Sequence, residues 1–494
     1  MDSLRNIKKR DWYILGALTT LAAVLRFANL PHPPEIIFDE TYFANFAHNY
    51  LTHTQFFDAE PPLGKFLIAG GEWLFGYNSF GWRAVPALFG TAVIPLMYLL
   101  AKRLFGGTVL PLLAATLALL DGLLLVESRS AVLDGFVVFF NLLTYVLFLG
   151  SLQATTRRRS LVWLGATGIS LGLGLSLKWI TLAFLGPAVG LLLILAWANH
   201  RRVQKFFKVR SAKALLDSIG AKARNLQRWW VYVGLLGVLP VLVYIPIFFA
   251  HLPFDTTGQG LIQLHQTIYN YHHTLKAVHP YGSVWWSWPF DQRPVAFYFK
   301  ATHGQWQGIV ALGNPVIWWS SLAAVAFTIW KFATKRSLVV GFLLLAIVAH
   351  YGPWSVIGRV LFIYHYLGAL PFVILALAYA LREHWGWRPK DKSVQLFIWI
   401  LLLAAMMTVG GMLGRSVLGG LPAAAGYSLG ALLAGLPVIW LATTNQLDWG
   451  WSRKQVIVFM GLCALAFVYF YPIWTGVGLD TADYLRHMWL KSWI

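Results

Sequence analysis

The chain has 494 residues, of which 58% are hydrophobic and only 12% charged, with a formal net charge of +20. Soluble domains carry about 25% charged residues, so no soluble core could hide this much apolar chain, and a polytopic membrane protein is implied. The single cysteine, Cys463, excludes an intrachain disulfide.

Thirteen apolar runs read as candidate spans: 12–29, 84–104, 109–126, 131–151, 161–177, 179–198, 229–250, 309–330, 337–352, 357–381, 395–414, 423–442 and 455–472. The expected fold is all-α, with about 11–13 transmembrane helices and interfacial helices in the outer loops. The first run is long and lacks a small-residue cleavage site, which predicts a retained signal anchor. Lys8, Lys9 and Arg10 set the N-terminus in the cytoplasm. The inner segments then hold 27 of the 39 Lys and Arg and the outer segments 11, the positive-inside pattern. The basic loop 199–228 is expected to lie in the cytoplasm, near anionic headgroups. No nucleic-acid motif accompanies the charge, so nucleic acid is not an expected partner.

Two loops are long and external, 30–83 and 251–308. Along the chain, polar residues break the apolar context at five places. "EIIFDETYFA" carries Asp39 and Glu40, with Glu60 and Lys65 following in "AEPPLGK". "VESRSAVLD" carries Glu127, Arg129 and Asp134. "SLKWI" carries Lys178. "HHTLKAVHPYGSVWWSWPFDQRP" carries His279, Trp288 and Arg293. "PWSVIGRVLFIYHY" carries Arg359 and His365. All five fall on the outer side, and ionisable groups at membrane depth mark function by default. Cations at the membrane border suit a lipid-borne phosphate. An opposing carboxylate can deprotonate an incoming nucleophile. Transfer of a sugar from a lipid phosphate needs that pair. Hydrolysis of an ether-linked sugar would need two carboxyls in acid and base roles.

The ordered motifs "FDETYFA", "PPLGK", "ESRSAVLDGFVVFF", "GLGLSLKW", "HPYGSVWWSWPFDQRPVAFYF", "LGNPVIWW" and "PWSVIGRVLFIYHYLGALPF" resemble those of bacterial protein O-mannosyltransferases over nearly the whole chain. The resemblance implies a single type C glycosyltransferase domain over 1–494. It also implies a polyprenyl phosphate-linked mannose donor, and Ser or Thr of exported proteins as acceptor. It makes Asp39 the base, with Glu40 beside it, at the extracytoplasmic face of the plasma membrane. Glu60 stands where the family usually has His. The second outer loop, at about 60 residues, is too short for a further domain of ordinary size.

Each residue also has a plainer reading. Asp39 and Glu40 could start a helix in water. Glu60 and Lys65 could pair across a turn. Arg129 and Lys178 could snorkel, and Asp134 could pair with Arg129. Arg129, Lys178, Arg293, Arg359 and His365 are the candidates for donor phosphate and sugar. Glu60, Lys65, His279 and Trp288 are candidates for acceptor contact or loop shaping. Arg359 and His365 are expected six residues apart on one helix. Trp285, Trp286 and Trp288 are expected in an interfacial belt. His272, His273 and His279 match no zinc spacing, and no cofactor is expected. The rivals are a transferase of the same architecture with a lipid or glycan acceptor, and a transporter. Transporters show paired halves, and no internal repeat is visible.

Overall fold

The computed structural model describes residues 7–302, 304–385 and 449–494, with isolated helical residues between 400 and 430. The predicted spans 395–414 and 423–442 lie outside the continuously described residues.

Helix α1 (Lys9–Phe27) leads into the loop 30–83, expected to be external, with two short helices, α2 (Glu40–Leu51) and α3 (Leu63–Phe75). α4 (Ser79–Phe105) starts where the Asn78 side chain accepts the N–H groups of Phe80 and Gly81, satisfying donors a helix start leaves free. α5 (Val109–Leu119) and α6 (Gly122–Arg129) form an apolar pair bent by 59°. Asp121 makes the break by capping Leu124 N–H. α7 (Asp134–Gln153), α8 (Arg157–Leu175) and α9 (Leu185–Ala196) follow, then α10 (Leu239–His251) and the outer-loop helix α11 (Leu261–Thr274). The chain continues through α12 (Pro315–Lys335), α13 (Leu338–Tyr351), α14 (Leu370–Trp385) and α15 (Trp449–Thr475). The core lies where α4, α5, α7 and α14 meet, around buried Tyr98, Tyr145, Phe148 and Leu377.

Among the described residues seven helices are long and apolar enough to cross a membrane, or eight with the bent pair. α1 and α8 occupy predicted spans, but α1 buries Asp11 and Arg26 within its length and α8 opens on three arginines. The predicted run 357–381 is corrected. Residues 357–362 are not helical, Ile363–Gly368 is a 3-10 turn, and the α-helix starts at Leu370. Arg359 and His365 therefore do not share a helix.

The segment after α11 adds strands to the otherwise helical described residues. β1 (Val295–Thr302) and β2 (Gln305–Ala311) form an antiparallel hairpin, and β2 also pairs with the two-residue β3 (Leu479–Asp480). In the first outer loop α3 and α4 approach closely at small residues. A Cβ on Gly71 would sit 2.4 Å from the Gly81 carbonyl oxygen. Gly71→Ala is expected to destabilise the protein by about 1–3 kcal/mol, read as a lower melting temperature in detergent.

Candidate active site

The loop between α1 and α2 is folded around one arginine. Arg83 sits in the first turns of α4 and is almost fully buried. Its guanidinium donates to the carbonyls of Leu30 (3.3 Å), Pro33 (2.7 Å) and Glu35 (3.0 Å). It also forms a bidentate pair with Glu40, both bonds at 2.8 Å. Glu40 in turn accepts the N–H groups of Ile37 (3.1 Å) and Ala131 (2.9 Å). Both oxygens of Glu40 are thus occupied, and this acid ties the first outer loop to α4 and to the α6–α7 turn.

Its neighbour is different. Phe38 has a left-handed backbone (φ 42°), and Asp39 follows as the residue that starts α2. The Asp39 side chain is half-buried and has no hydrogen-bond partner among the described residues. Burial pushes its carboxyl up to about 6; Lys178 opposes the rise, while Asp134 and Glu60 add to it. A carboxylate without donors, in a partly dry site, is a stronger proton acceptor than one in water.

A cavity of about 630 Å³ is lined by Glu60, Lys178, His272, Trp354, Arg359 and His365, among others; Asp39 is not in its lining but feels the charges of Lys178 and Glu60, which are. Lys178 pairs with Asp134 at 2.7 Å. Glu127 is buried within the same field of charge, with neither oxygen hydrogen-bonded among the described residues. His272 clasps two sides of the cavity. Its Nε2 donates to the Ala59 carbonyl (2.9 Å), and its Nδ1 accepts from the Arg359 guanidinium. Loop 30–83, the α6–α7 and α8–α9 turns, α11 and the segment after α13 therefore converge on one site.

The family model described as dolichyl-phosphate-mannose-protein mannosyltransferase matches residues 16–254. The C-terminal four-TMM region of protein-O-mannosyltransferase matches 257–414. The polyprenol-phosphate-mannose–protein mannosyltransferase of Corynebacterium glutamicum is 30% identical over 383 residues, covering 66% of this chain and 71% of that one. The chain belongs to the dolichyl-phosphate-mannose–protein mannosyltransferase family. The Mycobacterium tuberculosis protein of the same description is 27% identical over 457 residues, covering 81% and 87%. The fold is similar to the Saccharomyces cerevisiae protein O-mannosyltransferase Pmt1–Pmt2 complex bound to the sugar donor. The TM-score there is 0.70, at 15% identity over 100% of this chain and 94% of that one. ArnT from Cupriavidus metallidurans bound to undecaprenyl phosphate gives 0.59, at 14% identity over 97% and 78%. The chain is thus a membrane glycosyltransferase of the mannosyl-transferring class with the type C fold.

Within this family member, the other predicted site residues fall into distinct places. Lys65 is fully buried. It pairs with Asp58, not with the Glu60 carboxylate, and donates to the carbonyls of Glu60 (2.8 Å) and Pro61 (2.6 Å). Arg129 does not pair with Asp134. It donates to the carbonyls of Leu25, Arg26, Ala28 and Asn29, closing the end of α1. Arg293 donates to the carbonyls of Pro280 and Ser492 and lines a second cavity, of about 1010 Å³. Arg359 lines both cavities. His279 accepts the Tyr281 N–H (3.2 Å) in its own turn, a loop-shaping contact. Trp288 is buried, not interfacial. It donates to Ser283 Oγ (2.9 Å) and stacks on His365. Trp286 is exposed.

Sequence reasoning missed Asp58 and Arg83, and weighed His272 only as a metal ligand. Arg83 had a signal: a lone cation at the head of an apolar span. Asp58 had only its place seven residues before its partner Lys65; the partners of His272, the Ala59 carbonyl and Arg359, are distant in sequence.

Proposed function

We propose that this protein transfers mannose from a polyprenyl phosphate carrier to Ser or Thr of exported proteins, with inversion at the anomeric carbon. The observation that supports this best is the unpartnered Asp39 carboxylate, electrostatically coupled to Lys178 and Glu60, two residues of a cavity that Arg359 also lines. Asp39 accepts the hydroxyl proton as the acceptor oxygen attacks C1 of the sugar. The bond from C1 to the phosphate oxygen breaks, and the carrier leaves as polyprenyl phosphate. Its phosphate is already a good leaving group, so the reaction needs one base and no strong acid. Lys178 and Arg359 hold the phosphate; His365 and Glu60 border the sugar. Glu40, Lys65 and Arg129 act through the loops they fix, and Arg293 and Trp288 through the second outer loop. The whole chain works as one catalytic unit in the plasma membrane, with 30–83 and 251–308 outside and 199–228 in the cytoplasm. The curated relatives are named for the same donor and for protein acceptors.

The test uses purified protein in nanodiscs, labelled polyprenyl-phosphate-mannose and a Ser/Thr peptide. Mannosyl peptide and free polyprenyl phosphate should appear in equal amounts, with the anomeric configuration inverted. Carrier consumption with no labelled peptide, but with labelled lipid or glycan, would replace the acceptor assigned here.

His272 gives a further expectation. His272→Ala leaves Arg359 without its imidazole acceptor, so KM for the carrier should rise about tenfold while kcat changes little. His272→Gln, which keeps a donor and an acceptor, should recover part of the loss. Donor titration at saturating peptide measures both.

A further inference from the structure

β1 is the outer strand of the three-stranded sheet, because β2 lies between β1 and β3. Among the described residues, no backbone hydrogen bond reaches β1 except from β2. The outer edge of β1 therefore carries unpaired N–H and C=O groups; Phe299, Lys300 and Ala301 are exposed, whereas Val295 and Phe297 are buried. Proteins usually shorten, charge or cover such an edge. Here the one charge on the strand, Lys300, is taken up by Glu35.

The position of this edge is the second observation. The pairing with β2 is irregular between Ala296 and Tyr298. The extra residue, Phe297, stacks on Phe38 with ring centroids 4.3 Å apart. Phe38 is the residue before Asp39. Tyr298 and Lys300 both reach Glu35, at the start of the same loop. The strand thus runs along the segment that presents the candidate base. Bulges re-aim side chains next to active sites, and this one fastens the strand to the catalytic loop.

We propose that the free edge of β1 docks the acceptor as an added strand of extended polypeptide, bringing its hydroxyl residue towards Asp39. This rests on the acceptor being a polypeptide, as assigned above. Alternating N–H and C=O groups are complementary to another extended backbone, and neither a lipid nor a glycan presents such a row. Recognition through the main chain tolerates many side-chain sequences, with preference only at alternate positions. It suits acceptors met before they fold.

The test uses the full chain in nanodiscs. Cys463 is buried, so Ala301→Cys introduces the one accessible thiol among the described residues. Short Thr peptides carrying an activated disulfide at successive positions are offered to this variant. Cross-linking should alternate with a period of two residues and be competed by unmodified peptide. On the unmodified protein, N-methylation of alternate peptide bonds should raise acceptor KM about three- to tenfold, and methylation of the intervening bonds should not. The proposal is overturned if cross-linking shows no period, or joins two copies of the chain instead, while mannose transfer proceeds. If no peptide is mannosylated by the unmodified protein, the functional assignment itself fails, and this proposal with it.

Discussion

Asp39→Asn should lower kcat by about 10²–10⁴-fold, the usual worth of a positioned general base, with little change in folding or in carrier binding. Asn has nearly the shape of Asp but cannot accept the hydroxyl proton. The Asp39 side chain makes no hydrogen bond that the amide would break, so a loss of structure is not expected. The pH profile supplies a second reading of the same group. Asp39 works ionised, and burial pushes its carboxyl up to about 6. The rate should therefore fall about tenfold per unit as pH drops below that value, instead of below about 4 as for an exposed aspartate. The acid limb of kcat/KM measures this. A limb that stays near 4, or an Asn variant with wild-type turnover, would falsify the assignment of the base.

The membrane class was legible because it rests on a coarse signal, the apolar runs that mark spans. Segments far apart in sequence that carry Glu60, Lys178, His272 and Arg359 do share one cavity, whereas Arg129 and Arg293 lie elsewhere. What was not legible is which charge meets which. Lys178 pairs with Asp134, 44 residues away, whereas Arg129, five residues from Asp134, caps the end of α1. Sequence distance carries no information about such partners once helices pack side by side. The run 357–381 failed for a local reason. Gly352 and Pro353 end α13 in a 3-10 turn, and residues 357–362 then pass the cavity as irregular chain with a bend at Arg359. Val356 and Ile357 are exposed and only Leu361 of this stretch is buried, so apolar content alone did not mark a helix there. The hairpin was visible in principle, since "VAFYFKAT" and "QWQGIVA" are rich in β-branched and aromatic residues on either side of a glycine. The tryptophans just before it drew the reading towards an interfacial belt.

Arg83→Met should cost stability where Asp39→Asn costs turnover. Arg83 satisfies five acceptor atoms in the loop 30–83, and among the described residues Glu40 has no other cation in a salt bridge. Removing the guanidinium leaves a buried carboxylate and three carbonyls without their donor. Breaking a buried ion pair from one side costs about 3–5 kcal/mol, enough to lower the melting temperature of the detergent-solubilised protein by several degrees. Activity should fall as well, because the loop that presents Asp39 loses its anchor, but the loss should follow the unfolding of that loop. Limited proteolysis between residues 30 and 40 should detect the loosened loop in Arg83→Met and not in Asp39→Asn. Glu40→Gln should lie between them, since the amide can still accept one bond from Arg83 and one from Ala131 N–H but carries no charge. If Arg83→Met keeps its melting temperature and its protease resistance yet loses turnover, then Arg83 acts on the substrate directly, and the division of labour between the two adjacent acids must be redrawn.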